Sequence, residues 1–240
     1  MSDPMSPVFW LALSQIILIN IVLSGDNAVV IALACRSLPA HQQKKAIIFG
    51  SIGAIVLRII LTFFAVYLLT LPYLKLVGAA LLLWIGIGLL KGDDDDEDIE
   101  GNSGLLAAVK TIVIADLVMS LDNVIGVAAA AKGDVALLVI GLVISIPLII
   151  FGSTIILKLM TRFPVIITLG AALLGWVAGE MCLTDPAIKH WVDQQPHVLH
   201  YIVPALGAII VVALGKWLAS RAEAEGAEEA KAAGSEKPAH

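Results

Sequence analysis

Charge is scarce in this 240-residue chain: 15% of its residues are charged against 59% hydrophobic, and the mean hydropathy is +0.96. That balance excludes an ordinary soluble domain. Cysteine is nearly absent, with only Cys35 and Cys182. Both sit at ends of apolar segments that the topology below puts on opposite faces. A disulfide needs Cα atoms within about 7 Å, so the two are read as small buried apolar residues. No histidine lies inside a clear apolar segment; His41, His190 and His197 are in loops and His200 is near a segment end. A tetrahedral Zn²⁺ or Cu⁺ site of nitrogen and sulfur ligands is therefore not expected. No basic patch with interleaved aromatics points to nucleic acid. No nucleophile–base pair or cofactor motif is present, so neither an enzyme nor a prosthetic group is expected. The opening Met1-Ser2-Asp3-Pro4 carries no basic region and no cleavage site, which argues against a removable signal peptide.

What the chain does have is long apolar runs. Seven candidate spans cover 6–33, 45–70, 72–90, 105–131, 135–158, 163–182 and 198–219. Each is close to or above the ~20 residues that cross ~30 Å of hydrocarbon. They are apolar all round, as lipid-facing helices are. The expected fold is all-α: a polytopic membrane protein with seven transmembrane helices in a lipid bilayer. Seven spans put the termini on opposite faces. One face would carry Arg36, Lys44, Lys45, Lys91, Lys158, Arg162, Lys216 and Arg221, and the other only Lys75, Lys132 and Lys189. The positive-inside bias then predicts the amino terminus outside and the carboxyl terminus in the cytoplasm.

Two apolar runs carry an Asp-Asn doublet. The first reads Asn20-Ile-Val-Leu-Ser24-Gly25-Asp26-Asn27, the second Asp116-Leu-Val-Met119-Ser120-Leu121-Asp122-Asn123. An offset of 96 superposes the doublets, Ser24 on Ser120, and Asn20 on Asp116. An offset of 92 superposes Pro72 on Pro164, Gly78-Ala-Ala-Leu-Leu on Gly170-Ala-Ala-Leu-Leu, and Trp84 on Trp176. Each half has an odd number of spans, so a duplicated half must insert upside down. The expected architecture is a 3+3 inverted-topology repeat plus one extra C-terminal helix, an arrangement common in secondary transporters with the site at the midplane. Its parts would be 6–90 (first three-helix repeat), 91–104 (acidic cytoplasmic linker), 105–182 (second, inverted repeat), 183–197 (external loop), 198–220 (seventh helix) and 221–240 (cytoplasmic tail). The linker has seven carboxylates in the eight residues from Asp93 to Glu100, which favours a solvated strand of chain. The Ala/Glu-rich tail is read as disordered or a frayed helix. The seventh helix, outside the repeat, suits a peripheral or interface position and so admits a homo-oligomer.

An ionised Asp near a bilayer centre costs about 2.5–3.5 kcal/mol on insertion scales, which makes such residues functional-site candidates. On a helix Asn20, Ser24 and Asn27 share one face, and Asp116, Met119, Ser120 and Asn123 share another. Asp26 and Asp122 point roughly 100–120° away from those stripes on an unbroken helix. Either they serve a neighbouring helix, or the helix unwinds; Gly25 makes unwinding plausible in the first half. Asp26, Asp116 and Asp122 with amide oxygens of Asn20, Asn27 and Asn123 suit six-fold coordination of a hard divalent cation such as Mg²⁺, Ca²⁺ or Mn²⁺. The Met119 thioether, if a ligand, would favour Mn²⁺. Arg58 in the second span could pair with a site carboxylate or lock one conformation when metal is absent. Glu180 near the end of the sixth span suits a gate as well as a ligand. Counting Asp26, Asp116, Asp122 and Glu180 against Arg58 gives a formal core charge of −3, which favours a cation and leaves a carboxylate able to exchange protons. Ser24 and Ser120 are also explained as interhelical hydrogen-bonding groups.

The segments around Asp26-Asn27 and Asp116 to Asn123 resemble the paired signatures of the TerC (tellurium-resistance C) integral membrane family, most closely its compact YjbE-type branch. The resemblance covers about residues 6–220. It implies an exporter of Mn²⁺ in the bacterial inner membrane, within the wider group that contains lysine exporters, with the family's acidic motif residues falling on Asp26, Asp116 and Asp122. The resulting expectation is alternating-access export of Mn²⁺ from the cytoplasm, coupled to protons. Two rivals stand beside it: a scaffold or metallation partner of other membrane or secreted proteins, and an exporter of a small organic cation or amino acid.

Overall fold

The computed structural model describes residues 7–23, 25–68, 70–91, 102–131 and 134–235, and the regular structure in them is entirely helical. The helices are α1 (Pro7–Leu23), α2 (Gly25–Cys35), α3 (Ala40–Leu68), α4 (Leu74–Lys91), α5 (Asn102–Ala131), α6 (Val135–Arg162), α7 (Val165–Leu183), the short α8 (Lys189–Val192) and α9 (Leu199–Ser235). Among the described residues six helices, α3 to α7 and α9, are long and apolar enough to cross a bilayer. The pair α1–α2, bent by 47°, makes a seventh span if counted as one. The expected span over 6–33 is thus two helices that part beside Gly25, a poor helix former. In the second half α5 runs unbroken through Leu121 and Asp122. Ser24, the linker residues 92–101 and Lys132 lie outside the described residues.

The bundle is apolar outside and polar at its centre. Trp10, Phe63, Trp84 and Phe151 face outward, whereas Asn20, Asn27, Arg58, Asp116 and Ser120 are each 5% exposed or less. In water that arrangement would be unstable; in hydrocarbon it places these polar side chains where other protein groups can meet them.

The packing pattern has an internal exchange. Helix α3 lies along α5 as α6 lies along α1 and α2; α4 meets α5 as α7 meets α2; and α3 touches α6 while α4 touches α7. Swapping α1–α2 with α5, α3 with α6 and α4 with α7 leaves this pattern unchanged. Helix α9 stands outside it, against α7 and α4. The α7–α9 crossing is close because glycines meet there: a Cβ at Gly175 would run into the Gly207 carbonyl, and one at Gly179 into the Pro204 backbone. Small residues are the usual means of bringing helices together in a membrane, where apolar burial gives no drive. Beyond the bundle α9 continues as helix to Ser235. Of the two readings of the tail from 221, disordered or a frayed helix, helix describes it as far as Ser235, in keeping with the strong helix propensity of Ala and Glu.

Candidate cation site

Arg58 organises the centre. It sits 18 residues into α3, 1% exposed, and its guanidinium reaches two other helices, α1 and α5, at once. Its Nε donates to Ser120 Oγ at 3.0 Å, one terminal nitrogen donates to Asn20 Oδ1 at 2.8 Å, and the other forms an ion pair with Asp116 Oδ1. Asp116 Oδ1 also accepts from Asn27 Nδ2 at 2.8 Å, and Oδ2 accepts from Ser120 Oγ at 3.1 Å. Helices α1, α2, α3 and α5 are therefore tied through one carboxylate and one guanidinium. The bend between α1 and α2 lets Asn20 and Asn27, on different helices, reach the same cluster. Arginine suits this place because its planar fork supplies several fixed donors and it does not give up its charge.

Beside the cluster lies a cavity of about 10 Å³ bounded by Asn27, Val30, Ile31, Ile112 and Asp116. That is space for a single water-sized sphere. The Asn27 Oδ1 is buried and accepts no hydrogen bond among the described groups. Asp116 and Asn27, with three apolar side chains, thus border a void that fits one small ion or one water. A second cavity, about 200 Å³, lies between the α1–α2 break and α6, lined by Ile21, Gly25, Ala28, Leu148, Ile149, Gly152 and Ile156. Among the described residues its walls carry no polar side chain.

The remaining candidate residues fall elsewhere. Among the described residues no three His, Cys, Asp or Glu side chains form a group that could hold a metal ion. Asp26 is half-buried at the start of α2, with Oδ1 accepting from the Asn27 backbone N–H at 2.8 Å. Asp122 turns away from Asp116 and pairs with Lys75 of α4. Asn123 is half-buried one turn beyond Ser120, and Met119 is packed in the apolar core at 3% exposure. Glu180 is exposed on α7, accepting from Trp176 Nε1 at 2.9 Å. With Glu180 outside and Lys75 inside, the buried charge differs from the expected −3: Asp116 is balanced by Arg58 and Asp122 by Lys75, which leaves Asp26.

Lys75 is the residue that sequence reasoning placed in a different role, as a topology charge at a span end. A signal was present in the sequence: the offset of 92 that superposes Pro72 on Pro164 puts Ile167 opposite Lys75, so the charge has no counterpart there. Its neighbour Asp185 was missed altogether. Asp185 is fully buried in the α7–α8 connection, and its carboxylate accepts backbone N–H groups of Tyr73 (2.9 Å), Lys75 (3.0 Å), Leu76 (3.2 Å) and Ala187 (2.8 Å). It caps the amino-terminal turn of α4 from another part of the chain and holds Tyr73 at φ 67°, a left-handed conformation rare for an aromatic residue. Burial pushes this carboxyl up, but the four N–H groups outweigh it and hold it below the ordinary value of 3.8. Asp185→Ala should cost about 2 kcal/mol. Because the folded value is depressed, that stabilisation is fully present above the ordinary carboxylate value and is lost as pH falls through the lower folded one. Melting of wild type and variant in detergent should therefore differ at neutral pH and converge only in strong acid.

The fold and its centre define a polytopic helical membrane protein with a buried, charge-paired polar cluster. The chain belongs to the TerC family of integral membrane proteins, whose sequence profile matches residues 5–223. It is 43% identical over 205 residues to the uncharacterized membrane protein YjbE of Bacillus subtilis, covering 85% of this chain and 92% of that one. The uncharacterized membrane protein YceF of the same organism is 27% identical over 207 residues, covering 82% and 78%. The tellurium resistance protein TerC of Alcaligenes sp is 38% identical over 89 residues, covering 36% and 26%. No solved structure matches the chain.

Proposed function

We propose that this chain exports divalent metal cations, Mn²⁺ foremost, from the cytoplasm across a bacterial inner membrane by alternating access, with protons moving inward. The observation that carries the reading is the small void bordered by Asp116 and Asn27, together with the buried Asn27 amide oxygen that accepts no hydrogen bond among the described groups. Hard oxygen donors of this kind suit Mg²⁺, Ca²⁺ and Mn²⁺. Asp116, Asn27 and Asn20 would bind the ion at the centre, with Ser120 beside them and Met119 one turn along α5. Asp26, Asp122 and Asn123 would hold it on either side of that point. In the described conformation Arg58 neutralises Asp116, as a metal-free state requires, and would have to release it when the ion arrives.

The exchange symmetry of the helix contacts supports an inverted repeat. So does the odd number of spans in each half when α1–α2 counts as one span. The charge bias of the loops supports an external amino terminus and a cytoplasmic carboxyl terminus. An organic cation or amino acid fits less well: the void beside Asp116 is too small for a side chain, and the larger cavity has no charged residue among its described lining.

Purified chain in liposomes should move Mn²⁺ with nothing else present, where a scaffold or metallation partner would move none. Parallel runs with Mg²⁺, Ca²⁺, Fe²⁺ and Zn²⁺ rank the substrates. In cells, Asp122→Asn should abolish export while the variant remains folded and inserted; manganese tolerance equal to wild type would remove Asp122 from the site.

A further inference from the structure

Lys75 is held at both ends. Its backbone N–H donates to Asp185, and its Nζ pairs with Asp122 while also donating to Thr184 Oγ1 at 3.1 Å. Asp185 in turn fixes the start of α4 through the backbone N–H groups of Tyr73, Lys75 and Leu76. One side chain therefore joins α4, α5 and the α7–α8 connection at a single end of the bundle. The Nζ position is bordered by a carboxylate oxygen and a hydroxyl oxygen, donors that a hard cation would also accept. Six residues separate Asp122 from Asp116, about 9 Å along α5, so the two carboxylates are successive stations and not one shell. The opposite half has no equivalent, because Ile167 stands where Lys75 stands.

We propose that the Lys75 ammonium is a tethered competitor of the transported ion: it occupies the cation position formed by Asp122 and Thr184 and closes that end of the bundle until a divalent cation displaces it. This rests on the reading of Asp122 as a cation ligand. A single-charged side chain can neutralise Asp122 but cannot follow the ion, so each passing ion must exchange with it. Thr184 is then a further oxygen ligand of the same station. Because only one half carries the lysine, closure at this end differs from closure at the other.

Two measurements test this. Lys75→Met in liposomes should lower the Mn²⁺ concentration giving half-maximal flux by roughly fivefold, the size expected when a partly exposed ion pair stops competing. Lys75→Arg, which keeps the charge, should stay near wild type. Separately, with Cys35 and Cys182 replaced by alanine and Met119→Cys as reporter, a water-soluble thiol reagent without any metal should label detergent-solubilised protein several-fold faster once Lys75→Met is added. Thr184→Val, which only loosens the ammonium, should shift labelling in the same direction to a smaller extent. If the wild type moves Mn²⁺ but Lys75→Met changes neither half-saturation nor labelling, the competitor role is overturned. If the wild type moves no metal while labelling still rises, closure by Lys75 stands and the transport reading fails.

Discussion

Arg58→Met should cost the metal-free protein about 3–5 kcal/mol of stability and make what remains depend on divalent cation. The substitution keeps most of the side-chain length but deletes the charge that balances Asp116, both partners being almost fully buried. Asn27 and Ser120 still donate to the carboxylate, yet neither carries charge. A divalent cation can supply what is lost. Since ligand binding to the folded state adds stability in proportion to ln(1 + [L]/Kd), melting of the variant should rise steeply with Mn²⁺. The wild type should respond weakly, because its ion must first displace a guanidinium held by three hydrogen-bonding partners. Thermal unfolding in detergent across a Mn²⁺ titration reads both effects. A variant as stable as wild type, or one indifferent to Mn²⁺, would separate Arg58 from the cation site.

The helical membrane class was legible because hydrophobicity and length alone decide it. The proposed inverted repeat rests in the sequence on Pro72, Gly78 and Trp84 recurring at Pro164, Gly170 and Trp176, since a duplication leaves its mark on local sequence. The break of the first span was legible in Gly25, and the continuity of α5 in Leu121 at the matching place. The separate facing of Asp116 and Asp122 was also readable from helical periodicity. What periodicity could not supply was the partner of each carboxylate. Arg58 and Lys75 lie 58 and 47 residues from the acids they meet, on helices whose rotation about their own axes is set by packing. A lysine one position inside a span reads equally well as an interfacial anchor, and only the fold shows its amine turned toward Asp122. Asp185 follows the same rule: a loop aspartate gives no local sign that it caps a helix more than a hundred residues earlier. The Gly175–Gly207 contact, likewise, is a property of two helices and not of either glycine alone.

Asp116→Asn should reduce Mn²⁺ flux by about a hundredfold or more, since even removal of groups that merely orient a metal's ligands costs up to that much. The difficulty is that this variant also leaves the Arg58 guanidinium buried without its counter-charge, so lost flux alone could reflect lost fold. The double variant Arg58→Met, Asp116→Leu resolves this. Replacing a whole buried ion pair with apolar groups of similar volume is neutral or stabilising by about 1–4 kcal/mol, because two desolvation penalties vanish with one attraction. The double variant should therefore insert, melt at or above the wild-type temperature, and carry no Mn²⁺. A purely structural pair would behave oppositely: with stability restored by the double substitution, flux would return. Stability and transport thus part company only if the charge at position 116 is there for the ion, and a double variant that transports normally would show that it is not.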